Sequence, residues 1–379
     1  MTRKGSHPSR REFIGGLGAS AAALSLRPVF APGRSFGEVV GAAPDDVVRL
    51  NYNENPYGPS SKVVQSIRAS AAVLHGRYFD DSGYEELSKA LATHHGVARE
   101  NILVGAGSTE ILKICDDVFL GPKPKLVVAS PAYEAVIQYA VNSRAVATLV
   151  KLTPDARHDL RAMADATTAA TGLVYICNPN NPTGTIVRRD EMARFMDAIP
   201  RPVTVVVDEA YSEFVTDPGY ESAVKYVRER RNVIVAKTFS KVHGLAGMRV
   251  GYAIASEELI LRIKPFTVDF AITGTAANAA LASLADTANV ARVAKLNATQ
   301  RQRFVDEMNR AGFTCAVSQA NFVLTDIKRP VKPVIAALAK RKFLVGREFT
   351  AMPTHLRVTL GTDAEMKKFY PAFREVMRA

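Results

Sequence analysis

The sequence predicts an α/β fold, in which a large domain built on a mostly parallel, seven-stranded sheet is followed by a smaller α/β domain. Three observations predict it. From about Asn101, short β-rich runs alternate with amphipathic helical stretches such as Glu110–Phe119 and Arg188–Ile199. Motifs of turn-forming and charged residues stand directly after several of those runs, where open α/β sheets bind their ligands. A single long, Ala-rich helical pattern, Thr275–Gly312, then separates this alternation from a shorter set of elements.

At the N-terminus, Ser9-Arg10-Arg11-Glu12-Phe13-Ile14 precedes an apolar, Gly/Ala-rich run from Gly15 to Leu26. A basic segment before a short apolar run is a signal-peptide pattern. The run is shorter than the roughly 20 residues of a membrane span. Paired arginines before Phe13 resemble a twin-arginine export signal. Residues 1–42 are therefore read as that signal, the export machinery as a partner, and the protein as periplasmic. Residues 43–75 are an N-terminal arm, Leu50–Pro59, and part of the small domain, with a helix starting near Ser61.

Residues 76–274 are read as the large domain. Its seven candidate strands are Ile102–Val104, Leu126–Ala129, Ala145–Val150, Leu173–Cys177, Val203–Val207, Val233–Ala236 and Val250–Ala255. Pro265–Gly274 is the candidate boundary. Residues 275–379 are the connecting helix and the small C-terminal domain. That domain comprises Phe313–Val317, Asn321–Asp326, a helix near Val334–Lys342, Phe343–Val345, His355–Leu360 and a last helix from Asp363.

Composition narrows the function. The 379 residues are 47% hydrophobic and 23% charged, an ordinary globular balance. Of the net charge of +12, four charges belong to residues 1–40, and no Lys/Arg run with interleaved aromatics appears, which disfavours nucleic acid. A basic cleft for anionic substrates is the simpler account. The three cysteines, Cys115, Cys177 and Cys315, are widely spaced and form neither a metal motif nor a disulfide framework, so no metal is expected.

Four motifs follow strands: Gly105-Ala106-Gly107-Ser108-Thr109-Glu110, Asn178-Pro179-Asn180-Asn181-Pro182-Thr183-Gly184, Asp208-Glu209-Ala210-Tyr211, and Thr238-Phe239-Ser240-Lys241 with Arg249 eight residues on. Singly, each has a plain structural reading as a turn, a helix cap or a solvated lysine. The first is not a dinucleotide fingerprint, because Glu110 stands where the third glycine is required. Together they answer the needs of pyridoxal 5′-phosphate (PLP). Lys241 supplies an amine for its aldehyde. Asp208 supplies an anion beside its pyridine nitrogen. Asn181 and Tyr211 can donate to its phenolic oxygen. The Gly107-Ser108-Thr109 turn offers a helix N-terminus for its phosphate, with Ser240 and Arg249 adding a hydroxyl and a charged fork. Tyr133, after another strand, can stack on the ring, with Ala210 on the opposite face.

These motifs resemble the fold type I PLP-dependent transferases, class I/II aminotransferases, and within them the histidinol-phosphate aminotransferase branch. The resemblance runs from about residue 48 to the C-terminus. It includes Leu50-Asn51-Tyr52-Asn53-Glu54-Asn55-Pro56-Tyr57-Gly58, Arg77-Tyr78-Phe79-Asp80, Asn181-Pro182-Thr183-Gly184, and Ser240-Lys241 with Gly244-Leu245-Ala246-Gly247-Met248-Arg249. Ala320-Asn321-Phe322 and Leu356-Arg357-Val358-Thr359-Leu360-Gly361 extend it. The resemblance implies transfer of an amino group from an amino-acid-like donor to a 2-oxo acid such as 2-oxoglutarate. It implies catalytic roles for Lys241, Asp208 and Tyr211. Ser108, Thr109, Ser240 and Arg249 would bind the phosphate. Tyr78 would reach that phosphate from a second subunit, in a homodimer with a shared active site. Arg357 would hold the substrate carboxylate, while Arg347 and Asn53 of the N-terminal arm would meet the rest of the substrate. The motifs leave open a decarboxylase, racemase or lyase on the same fold and, from another class, a non-catalytic exported binding protein.

Overall fold

The computed structural model describes residues 46–379 apart from Asp80, Arg230 and Ala379. The export-signal reading of residues 1–42 lies outside the described residues. Twelve strands are present among those described: β1 Val48–Leu50, β2 Ile102–Gly105, β3 Lys125–Ser130, β4 Val146–Lys151, β5 Leu173–Cys177 and β6 Thr204–Asp208, then β7 Val233–Thr238, β8 Gly251–Ile254, β9 Thr314–Cys315, β10 Phe322–Asp326, β11 Phe343–Val345 and β12 His355–Thr359.

The large sheet has seven strands in the order β2-β8-β7-β6-β5-β3-β4. All its pairings are parallel except those of β8, which runs antiparallel to both β2 and β7. A strand buried on both faces reads as a continuous apolar run, and every residue of β5 and β6 is buried. Side chains alternate between two cores with the strand period of two. Val174, Ile176, Val205 and Val207 pack into one layer of helices. Leu173, Tyr175, Cys177 and Val206 pack into the other. The carboxyl ends of β2, β3, β5, β6 and β7 therefore lie along one edge of the sheet, and the motifs follow them.

A three-stranded antiparallel sheet, β12-β10-β9, carries the C-terminal elements, and β1 pairs in parallel with β11. The arm is thereby tied to residues 343–345, and Leu50 is buried with Phe304, Phe343, Phe369 and Phe373.

Two expectations are corrected. The pattern over Thr275–Gly312 is two helices, Gly274–Ala285 and Thr287–Arg310. The break is Asp286, at φ −93° and ψ 57°. A short polar side chain competes with the helical backbone for hydrogen bonds. Asp286 is buried and lies 3.5 Å from the Lys62 ammonium, a partner that local sequence periodicity does not register. The strand expected at Phe313–Val317 is also shorter, reduced to Thr314–Cys315.

Candidate active site

Asp208 ends β6 and is buried. Its register partner in β5 is Cys177, which brings Tyr175 alongside. The Tyr175 hydroxyl donates to Asp208 Oδ2 at 2.8 Å, and the Ala210 backbone N–H donates to Oδ1 at 3.1 Å. Burial pushes the Asp208 carboxyl above its usual range, while those two donors and the charge of Lys241 pull it back.

Lys241 is partly buried at the turn after β7. Its Nζ donates to the Tyr52 carbonyl at 3.2 Å and lies 5.5 Å from the centre of the Tyr211 ring. Burial, aided by the charge of Arg357, lowers its pKa to about 8, against the pull of Asp208 and Glu54. The arm is anchored beside it, because Asn55 Nδ2 donates to the Val242 carbonyl at 2.9 Å.

Tyr211 is buried, and its hydroxyl accepts from Asn53 Nδ2 at 3.1 Å and from Asn181 Nδ2 at 3.4 Å. The oxygen of the Asn53 amide in turn accepts from Thr359 Oγ1 at 3.0 Å. Both ends of this amide are held by protein, so Asn53 is aimed at the phenol. Arg357, on β12, donates from Nη1 to Asn181 Oδ1 at 2.6 Å and from Nη2 to the Asn51 carbonyl at 2.7 Å. Burial lowers its pKa to about 10, which leaves it charged at neutral pH. Gly346 permits the approach of its strand, since a Cβ there would sit 2.7 Å from the Arg357 carbonyl oxygen.

The turn after β2 leads into the helix Ser108–Leu120, whose first N–H groups lack intrahelical partners. Gly107 suits this turn because its φ of +82° is a conformation that other residues rarely adopt, and its lack of a side chain leaves room for the Arg249 guanidinium. Arg249 itself adopts a left-handed conformation at φ 56°, and its Nη1 donates to Ser240 Oγ at 3.3 Å. A non-glycine residue held there is strained by about 1–3 kcal/mol, a cost met by the surrounding structure.

These groups face one cavity of about 730 Å³. Lys241, Asp208, Tyr211, Asn181, Tyr133, Ser108, Thr109, Ser240, Arg249, Arg347, Arg357 and Asn53 all line it. The donor set fits PLP: an amine, a buried carboxylate, a phenol with an amide, and a helix N-terminus beside a guanidinium. Tyr78 does not line this cavity. It is 84% exposed, with its ring centre 4.9 Å from that of Phe270.

Three contributors escape a reading of the sequence. Tyr175 looks like one more apolar residue of a buried strand. Glu134, which pairs with Arg347 across 213 residues, and Phe349, flanked by Arg347 and Arg357, carry no motif.

A model of aminotransferase class I and II matches residues 45–373. The histidinol-phosphate aminotransferase of Moorella thermoacetica is 36% identical over 361 residues, 94% of this chain and 92% of the relative. The aromatic amino acid aminotransferase of Streptomyces coelicolor is 41% identical over 298 residues, 78% of this chain and 81% of that one. Among solved structures, histidinol-phosphate aminotransferase from Sinorhizobium meliloti in complex with pyridoxal-5′-phosphate superposes with a TM-score of 0.82 at 27% identity, covering 87% of this chain and 91% of that one.

Proposed function

The chain belongs to the class I and II aminotransferases, and on that premise we propose that it moves an amino group from a histidinol-phosphate-like or aromatic donor to a 2-oxo acid such as 2-oxoglutarate. The observation that carries this reading is the convergence of Lys241, Asp208 and Arg357 on one cavity. PLP is the cofactor; when bound, it supplies an aldehyde that accepts amino groups and a protonated ring that draws electrons from the bond being broken.

The chain's own groups divide the remaining work. Lys241 would hold the cofactor through its aldehyde. Once free, its neutral amine would serve as the base that accepts the donor Cα proton and gives it up again. Arg357 would bind, through its charge, the carboxylate of an amino-acid donor or of the 2-oxo acid, and so orient the substrate for proton transfer. Asp208 keeps a proton on the ring nitrogen. Asn181 and Tyr211 donate to the phenolic oxygen, and Asn53 positions Tyr211. Ser108, Thr109, Ser240 and Arg249 would hold the phosphate, and Tyr133 would pack against the ring. Donor and acceptor use the same cavity in turn, which gives ping-pong kinetics.

A panel of amino donors tests this, including histidinol phosphate and the aromatic amino acids. Glutamate should form from 2-oxoglutarate with at least one of them. Carbon dioxide or ammonia released without a 2-oxo acid would instead indicate a decarboxylase or lyase.

The lowered pKa of Lys241 carries a pH signature. Only the neutral amine attacks an aldehyde, so PLP capture by the cofactor-free enzyme should accelerate about tenfold per pH unit below pH 8 and level off above it. Stopped-flow absorbance after mixing would follow it, and a rate that stays flat between pH 6 and 8 contradicts the assignment of Lys241 as the reacting amine.

The working enzyme is a homodimer in which Tyr78 of the partner subunit reaches the phosphate. Exposed Tyr78, Phe266, Val268 and Phe270 support this, as an apolar surface suited to a second copy. Activity recovered in tagged hybrids of a Lys241-defective and a Tyr78-defective chain would bear it out, and active monomers in sedimentation would refute it. Export to the periplasm is supported by Arg10-Arg11 before Phe13. Replacing both arginines by lysine should hold the folded protein in the cytoplasm, and unchanged appearance in the periplasm would refute a twin-arginine route.

A further inference from the structure

Besides Lys241, Arg249 and Arg357, the cavity is lined by a further cation, Arg347. The guanidinium of Arg347 lies 4.6 Å from the centre of the Phe349 ring, and that of Arg357 lies 5.4 Å from it. Phe349 is buried and lines the cavity. It thus sets two positive stations beside one apolar surface. Arg357 is buried and already bonded to Asn181 and Asn51. The Arg347 side chain is 57% exposed and stands at the opening.

Arg347 has its own partners there. Its Nη1 donates to the Glu348 carbonyl at 2.9 Å, and its Nη2 donates to Glu134 Oε2 at 2.5 Å. Glu134 directly follows Tyr133 at the start of the helix Ala135–Asn142, and it too lines the cavity. The outer cation thus carries a carboxylate supplied by the protein, brought from a segment 213 residues away.

We propose that Glu134 is a specificity-determining residue, whose carboxylate occupies Arg347 in place of the distal anionic group of a substrate and yields that arginine when a dicarboxylic substrate enters. The proposal rests on the reading that one cavity serves both an aromatic or imidazole donor and a 2-oxo acid such as 2-oxoglutarate. A bare Arg347 would favour every ligand with a negative tail. With Glu134 on it, the opening is close to neutral, and an uncharged ring lies against Phe349 without stranding a cation. An anionic tail competes with Glu134 for the same guanidinium. Both partners are partly in water, so the pair is weak and screened, and exchange is easy. Discrimination between the two ligand classes is then a difference between two modest affinities, which a single carboxylate can set.

Binding of two unreactive ligands to the PLP-loaded enzyme, measured by titration calorimetry, tests this. Glutarate has a distal carboxylate, and 3-phenylpropionate has a ring in its place. Glu134→Gln should tighten glutarate roughly two- to fivefold and leave 3-phenylpropionate within about twofold. Arg347→Gln should weaken glutarate, and in the double variant the gain from Glu134→Gln should vanish. Unchanged glutarate affinity in Glu134→Gln, equal tightening of both ligands, or a gain that persists without Arg347 would each overturn the proposal. Turnover of the wild-type enzyme with 2-oxoglutarate is assayed separately. Its absence would overturn the acceptor assignment, whereas the calorimetric comparison decides on Glu134 by itself.

Discussion

Lys241→Ala should lower turnover by at least about 10⁴-fold while the protein stays folded and still binds PLP without a covalent link. The variant loses both the amine that holds the aldehyde and the base that moves the Cα proton, and the second loss alone is worth up to about 10⁴-fold. The phosphate contacts proposed for Ser108, Thr109, Ser240 and Arg249 do not depend on this side chain, so non-covalent binding should persist. Borohydride reduction followed by peptide mapping checks the assignment, with cofactor fixed on the peptide containing Lys241 in the wild type and on none in the variant. The nearest competitor in sequence is Lys237, at the end of β7. Its ammonium is buried between Glu209 at 3.3 Å and Glu213 at 3.0 Å. Those carboxylates outweigh the effect of burial and raise its pKa, so it stays protonated and unreactive. Cofactor found on Lys237 would undo the whole arrangement of the site.

Asp208→Asn should leave PLP bound and lower kcat by roughly 10²–10³-fold, the scale for removing one preorganised electrostatic partner of the reacting group. An amide carries no charge to keep the ring nitrogen protonated, so the electron demand on the breaking Cα–H bond falls. The fold should tolerate the change. The Ala210 N–H can still find the amide oxygen, and the Tyr175 hydroxyl can turn to accept from the amide nitrogen. A deuterium isotope effect at Cα larger than in the wild type would show that proton removal has become limiting. Near wild-type kcat would mean that another group holds the ring proton.

Much of this site is legible in the sequence because each piece is local. Gly107-Ser108-Thr109 after β2, Asp208 closing β6 and Lys241 after β7 each combine a strand signal with a turn signal within a few residues. The central strands β5 and β6 are legible because each is buried along its whole length and reads as a nearly continuous apolar run. The helix break at Asp286 is not, because one short polar residue does not interrupt the helical pattern on either side of it.

The sequence by itself determined which groups stand at the carboxyl ends of predicted strands: the amine of Lys241, the carboxylate of Asp208, the phenol of Tyr211 and the Gly107-Ser108-Thr109 turn. It also determined the fold class, through the alternation of strand and helix patterns. Only the tertiary structure decided how these groups are held and tuned. Tyr175 meets Asp208 because β5 and β6 pair in one register, with Cys177 opposite Asp208. Arg357 reaches Asn181 across 176 residues, Asn53 reaches Tyr211 across 158, and Arg347 reaches Glu134 across 213. Propensity, turn chemistry and hydrophobic period act over a few residues and leave a mark in the local sequence. Register and side-chain pairing follow from burying all the apolar faces at once, and that balance is struck only when the whole chain has folded.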